Sequence, residues 1–193
     1  MVRIAIILGS TRPVRNGEAV AQWVLQHAQQ RTDAEFELID LAEVDLPKLD
    51  EPTPAAWGKY ALPHTQQWAQ TIASFDGFVF VTPEYNHSFP GSLKNAIDRL
   101  AAEWNNKAAG FVCYGVDSGV RAAEALRPVL AALQVATVCH HVGFSLRTDF
   151  ENFGAKFTPA EYHEGMLNTM FDQLISWSTA LAGVRNAAAP AAV

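Results

Sequence analysis

The sequence predicts an α/β fold built on a parallel sheet. Short apolar runs rich in β-branched and aromatic residues alternate, five times over, with longer stretches whose apolar residues recur at helical spacing. Residues 2–9 (VRIAIILG) and 77–82 (GFVFVT) are apolar nearly without interruption, as expected of strands covered on both faces. The segments after the first, third and fourth strands gather glycine, proline and hydrogen-bonding residues. These are the connections where ligands bind in such sheets.

The elements follow in order. Residues 2–9 give the first strand, and 17–31 a helix with Val20, Trp23, Val24 and Ala28 on one face. Residues 34–41 alternate through Phe36 and Leu38 as a second strand. Residues 43–62 contain Pro47, Pro52 and Pro54 and predict a loop. A helix over 64–74 carries Trp68 and Ile72, and 77–82 is the third strand. Residues 91–104 predict a helix with Leu93, Ile97, Leu100 and Trp104 on one stripe, so Leu100 and Trp104 read first as core. A strand over 108–114, a helix over 119–133 and a short strand over 135–138 complete the repeats. Residues 142–158 read as irregular. The stretch 159–181 ends as an amphipathic helix with Tyr162, Met166, Met170, Leu174 and Leu181 facing inward. One domain is expected over 1–185, with a frayed Ala/Pro-rich tail at 186–193.

Composition narrows the function classes. The 193 residues are 49% hydrophobic, enough for a buried core and too apolar for disorder throughout. A net charge of −6 argues against a general binder of nucleic acid or anionic membrane, so an anionic ligand must be held locally. Cys113 and Cys139 stand far apart without a CxxC, which excludes a disulfide scaffold and fits a reducing compartment. No apolar run approaches the ~18 residues of a membrane span. The run 2–8 is too short for a signal peptide and lacks a cleavage pattern, so a cytoplasmic protein is expected. No metal site is expected: His140 and His141 are adjacent on a strand end and point to opposite faces.

The first loop (LGSTRPVRNG) ends a buried strand and opens a helix, whose first turn offers free N–H groups and partial positive charge. Ser10, Thr11 and Asn16 add donors, and Arg12 and Arg15 add charge, which together suit a phosphate. The alternative is a polar loop with an N-cap and two solvated arginines. GxxxxGK[ST], GxGxxG and a phosphatase cysteine are all absent, so the phosphate belongs to a bound ligand rather than a reacting group. The second loop (TPEYNHSFPG) is stiffened by two prolines. Tyr85, Phe89 and its peptide groups suit the edge of a flat ring, and Asn86 an imide-like edge. Taken alone, it reads as a loop with an N-cap. Glu84 is expected to pair with an arginine or cap a backbone group. In the third loop (YGVDSGVRA), Gly115 and Gly119 permit close backbone approach, by itself a weak signal.

In this order and spacing, LGSTR…NG, TPEYN…PGSLKNAIDRL and YG…SG.RA resemble the NAD(P)H-dependent FMN reductases, which include quinone, azo-dye and chromate reductases. The resemblance covers roughly residues 2–138. It implies a flavodoxin-like three-layer sandwich with strand order 2-1-3-4-5, FMN as prosthetic group and NAD(P)H as cosubstrate. Carried over by position, Ser10, Arg12, Arg15, Asn16 and Gly17 would hold the phosphate. Pro83, Glu84, Tyr85 and Asn86 would border the ring, largely through backbone groups, and Tyr114, Gly115, Ser118 and Gly119 would lie along its other edge. The third loop departs from the family's adjacent glycines: it has Ser118-Gly119 with Asp117 beside them, a carboxylate that could repel a reduced, anionic flavin or an acidic acceptor. The resemblance also implies a small-molecule electron acceptor, hydride chemistry without a catalytic side chain, and a homodimer or homotetramer. The competing readings are an electron carrier or flavin sensor that turns over no nicotinamide, and a hydrolase using Ser10 or Ser118.

Overall fold

In the computed structural model, which describes residues 1–188, the sheet is formed by β1 (Val2–Leu8), β2 (Ala34–Asp40), β3 (Gly77–Pro83), β4 (Lys107–Gly115) and β5 (Val135–Ser145). All pairings are parallel, in the order β2-β1-β3-β4-β5, as the flavodoxin-like resemblance implies. The chain leaves β1 outward to β2, then crosses back to β3 on the other side. This reversal opens a crevice between the loops that follow β1 and β3.

The unbroken apolar runs are explained by two cores. Ala5, Ile7, Phe78, Phe80 and Phe111 pack on one face with Trp68, Ile97 and Trp104. Ile4, Ile6, Val79, Val81 and Val112 pack on the other with Val20, Val24, Met170, Phe171 and Leu174. Successive side chains point to opposite faces, so a strand buried on both sides needs apolar residues at every position. The first face is covered by α3 (Pro63–Ala73), α4 (Gly91–Asp98) and α5 (Val120–Ala132), and the second by α1 (Gly17–Ala28) and α6 (Tyr162–Ala188).

Several boundaries differ from expectation. Inside the predicted loop 43–62, α2 (Leu41–Val44) runs past its start and a 3-10 turn forms at Ala55–Trp57. The Asp40 carboxylate caps α2 by accepting from the Ala42 N–H at 2.9 Å. The helix predicted over 91–104 stops at Asp98, and Trp104 sits in a separate 3-10 turn. Leu100 and Trp104 are nevertheless core, 1% and 0% exposed. The intervening Arg99 is also fully buried and donates to Asp50 Oδ1 (2.8 Å), Thr65 Oγ1 (3.0 Å) and the Pro47 carbonyl. It thereby pins the proline-rich loop.

The largest corrections lie after residue 138. Strand β5 continues to Ser145 through an irregularity: Ala109 faces Thr137, but Phe111 already faces His141. The extra residues expose Cys139 and His140 and interrupt the apolar alternation, so the sequence pattern ends early. Within 142–158 a small antiparallel hairpin forms from β6 (Phe150–Glu151) and β7 (Lys156–Phe157). On α6, Met170 and Leu174 are buried and Met166 and Leu181 partly so, but Tyr162 is 63% exposed because it opens the helix outside the packed stripe. The helix enters the expected tail as far as Ala188, and residues 189–193 lie outside the described residues. Among the described residues no helix is long and apolar enough to cross a membrane.

Candidate active site

The first loop leaves β1 with the Gly9 N–H still bonded to the Val81 carbonyl at 2.9 Å, while the Gly9 carbonyl accepts from Ser92 Oγ at 2.8 Å. The backbone then turns across the carboxyl end of the sheet. Ser10 is fully buried, with its Oγ 3.1 Å from the Tyr85 hydroxyl, so the first two loops are tied directly. Arg15 does not present a free charge. Its five N–H donors are spent on Glu18 Oε1 (3.1 and 2.9 Å), Asp40 (Oδ1 at 2.9 Å, and Oδ2) and the Ser10 carbonyl (2.5 Å). A guanidinium has only five such donors, so Arg15 shapes the loop from behind. Arg12 is exposed and holds no carboxylate among the described residues.

The backbone of this loop is free to bind. Among the described residues, no N–H from 10 to 12 or from 14 to 16 donates to a protein acceptor, and Pro13 has none. At the end of the row, α1 starts without a side-chain cap from Asn16. A row of N–H groups leading into a helix N-terminus is a ready cradle for a phosphate. Gly17 opens that helix beneath Tyr114: a Cβ there would lie 2.5 Å from the Tyr114 hydroxyl and 2.7 Å from Leu8 Cδ1. Burial raises the Tyr114 pKa, so its hydroxyl stays protonated.

The second loop is a tight turn. Tyr85 and Ser88 exchange backbone hydrogen bonds at 2.8 and 3.0 Å, and Asn86 and His87 between them have φ of 49° and 66°. Two consecutive left-handed residues make a type I′ turn, stiff and twisted to match its flanks. The Glu84 N–H goes to the Tyr114 carbonyl at 2.9 Å. The backbone donors of Glu84 and Tyr85 are therefore already engaged. The unengaged N–H groups belong to Asn86 and His87, whose side chains are exposed at the turn tip. Phe89 packs against the core rather than the cleft.

Glu84 does what the sequence suggested. Its carboxylate accepts from Arg121 Nε at 2.5 Å and from the Arg121 backbone N–H at 3.2 Å, fixing the second loop to the start of α5. Arg121 also reaches Asp117 at 2.8 Å, so the carboxylate that departs from the family pattern is matched by a cation. Ser118 (φ 61°) and Gly119 (φ 72°) form the turn into α5.

These loops surround a cleft of about 270 Å³ lined by Arg12, Arg15, Asn16, Pro83, Glu84, Tyr85, Tyr114 and Gly115. Eight of the thirteen expected residues thus line one cleft. Ser10 and Gly17 lie behind it, and Asn86, Ser118 and Gly119 stand outside its lining. Thr11 faces a separate cleft with Leu41, Ser92 and Asn95.

Sequence reasoning missed Leu146, Phe153 and the segment that carries them. Both line the same cleft, Phe153 at the tip of the β6–β7 hairpin and Leu146 in the chain that leads into it. The hairpin folds back over the first loop, where a Cβ on Gly154 would lie 2.5 Å from Asn16 Nδ2. Its root is fixed by the buried Asp149, which accepts from the Ser145 N–H at 2.8 Å and pairs with His163 Nε2 at 2.9 Å. The signal was present as Asn152-Phe153-Gly154 between Phe150 and Phe157, a turn sequence flanked by aromatics. The described residues contain no group of His, Cys, Asp and Glu able to hold a metal.

The donor set fits FMN: an unengaged N–H row and Arg12 at one end suit its phosphate, and the proline-stiffened wall at the other suits a planar ring. The comparisons agree. The family model described as NADPH-dependent FMN reductase matches residues 2–149. An NAD(P)H-dependent FMN reductase of Schizosaccharomyces pombe is 39% identical over 135 residues, covering 69% of this chain and 68% of the relative. A 2-hydroxy-1,4-benzoquinone reductase of a Burkholderia species is 32% identical over 109 residues, covering 56% and 55%. Among solved structures, the flavoenzyme NAD(P)H:acceptor oxidoreductase FerB of Paracoccus denitrificans shares the fold, with a TM-score of 0.68 at 22% identity over 91% of this chain and 98% of that one. The match over residues 2–149 places this chain in the NADPH-dependent FMN reductase family.

Proposed function

We propose that the chain is an NAD(P)H-dependent reductase that holds FMN in the cleft between its first three sheet-end loops and passes reducing equivalents to a small acceptor of the quinone class. The carrying observation is the set of free N–H groups at residues 10–12 and 14–16 with Arg12, which holds no carboxylate among the described residues, at one end of that cleft. Bound FMN would accept a hydride from the nicotinamide and deliver reducing equivalents to the second substrate. The loop N–H groups and Arg12 would bind the phosphate. Arg15, clamped by Asp40, would keep the loop in register. Tyr114, Pro83 and the Tyr85–Ser88 turn would fix the ring, with the unengaged N–H groups of Asn86 and His87 available to its polar edge.

No side chain in the cleft is required as acid or base. Ser10 is engaged with Tyr85 rather than a histidine, which disfavours the hydrolase reading. Cosubstrate and acceptor would use the same cleft in turn, giving parallel-line ping-pong kinetics. Azo compounds, metal oxyanions and free flavin are further acceptors to compare with quinones. An electron carrier remains the competing reading, and NADPH oxidation dependent on an added quinone separates the two. Two or four copies are proposed to assemble, with the shallow apolar groove around Ala101, Val129 and Leu133 as the surface to examine. The central test is Arg12→Ala. Losing a charge-assisted phosphate contact should weaken FMN about tenfold or more, read by quenching of flavin fluorescence. Unchanged affinity would remove Arg12 from the phosphate site.

A further inference from the structure

The arginines divide unevenly. The chain has nine, and seven of them (Arg3, Arg15, Arg31, Arg99, Arg121, Arg127 and Arg185) hold a carboxylate within salt-bridge distance. Among the described residues Arg12 and Arg147 are the two that do not, in a protein of net charge −6. Both lie on segments that line the same cleft. Arg12 lines it. Arg147 follows the lining residue Leu146, and its guanidinium lies 5.8 Å from the ring centre of Phe153, another lining residue.

The segment carrying this pair is built to hold it outward. Phe153 is 59% exposed, unusual for a phenylalanine, and Asn152, Phe153 and Gly154 all have positive φ (47°, 59° and 134°). A phenylalanine held in the left-handed region costs free energy, and here it keeps an aromatic face at the cleft mouth instead of in the core. The nearby acids are all engaged: Asp149 by Ser145 and His163, Glu151 by Lys156 at 3.0 Å, Glu84 and Asp117 by Arg121. One cation at the inner end and one at the rim are left for anions.

We propose that Arg147, steadied on Phe153, receives a phosphate of the nicotinamide dinucleotide, which makes the β6–β7 hairpin the element that selects the cosubstrate. This rests on the FMN-reductase reading of the cleft. FMN brings one phosphate, for which the first loop suffices. A dinucleotide brings at least two more and must leave them outside, where the hairpin stands. Phe153 would also offer its free face to a base.

The test uses the FMN-loaded protein. NADP⁺ and NAD⁺ are titrated calorimetrically into wild type, Arg147→Glu and Arg147→Ala, and FMN affinity is measured separately by flavin fluorescence. The expected result is a loss of about tenfold or more in NADP⁺ binding for Arg147→Glu, less for Arg147→Ala, shrinking at high salt, with FMN affinity unchanged within about twofold. Equal losses for both dinucleotides would place the diphosphate on Arg147, and a loss confined to NADP⁺ would place the 2′-phosphate there. Unchanged binding of both would overturn the proposal. So would a parallel fall in FMN affinity, which would make Arg147 part of the cofactor site. Failure of the wild type to bind FMN would instead bring down the underlying reading, a result visible before any dinucleotide is added.

Discussion

Gly119 joins β4 to α5 with φ of 72°. A Cβ there would meet the Tyr114 backbone N at 2.6 Å, Cys113 Cβ at 2.8 Å and the Tyr114 carbonyl oxygen at 2.9 Å. Two of these atoms are backbone of a central strand, so the clash cannot be relieved by turning a side chain. Gly119→Ala therefore carries two costs. The left-handed conformation costs about 1 kcal/mol for a residue with a Cβ. Overpacking against a rigid neighbour adds about 1–3 kcal/mol. Gly58 is the control: its φ is 62°, yet a Cβ there meets nothing within 4 Å. Gly58→Ala should lose only the conformational part, about 1 kcal/mol. Urea unfolding of both variants gives the difference directly, about 1–3 kcal/mol in favour of Gly58→Ala. In heat, Gly119→Ala should melt roughly 5–15 °C below wild type, at 2–4 °C per kcal/mol for a domain of this size. If the two variants are equally stable, the steric argument for the third loop is wrong and only its backbone angle matters.

Other variants probe separate parts of the frame. Asp40→Ala strips the partner of an arginine whose side chain is 7% exposed and should cost about 3 kcal/mol or more in urea unfolding, whereas Glu18→Gln, at an acid 63% exposed, should stay within about 0.5 kcal/mol. Burial lowers the Lys107 pKa to about 8 from an ordinary value near 10.5. Between those values the unfolded chain binds the extra proton, so this group makes stability rise with pH from about 8 to about 10.5. Lys107→Met should flatten that part of the wild-type curve, and an unchanged slope would show that Lys107 is not the source. Burial pushes the Cys113 thiol up to about 12, while Cys139 is exposed. Native protein should accordingly react with one equivalent of a thiol reagent and unfolded protein with two.

The fold was legible where burial on two faces imposes its own pattern. Residues such as Ile4 to Leu8 and Phe78 to Val81 admit no polar position, and nothing but a central strand explains them at that length. It was illegible where one element's length depends on its neighbour's register. Nothing local in Cys139-His140-His141 says that the strand resumes after a bulge, because the pairing that restores it comes from Phe111 and Val112 on β4. The end of α4 was missed for a related reason. Leu100 and Trp104 continue the helical stripe in sequence, but the Arg99 side chain before them is drawn into the core by Asp50, Thr65 and Pro47, partners up to 52 residues away.

The candidate site divides along the same line. Residues whose type already encodes a role were found: Arg12 as a cation in the first loop, Glu84 as a tether to an arginine. What residue type cannot encode is whether a donor is already spent. Arg15 looks like Arg12 in the string, and only the fold shows that its five donors go to Asp40, Glu18 and the Ser10 carbonyl. The same accounting moves the useful backbone donors from Glu84 and Tyr85 to the turn beyond them. It also brings Arg147 forward, since an arginine in an irregular stretch becomes informative once every other arginine except Arg12 has been matched to its acid. In a chain with six more acids than bases, a cation left unpaired beside an anion cradle marks the ligand's path more sharply than any count of basic residues.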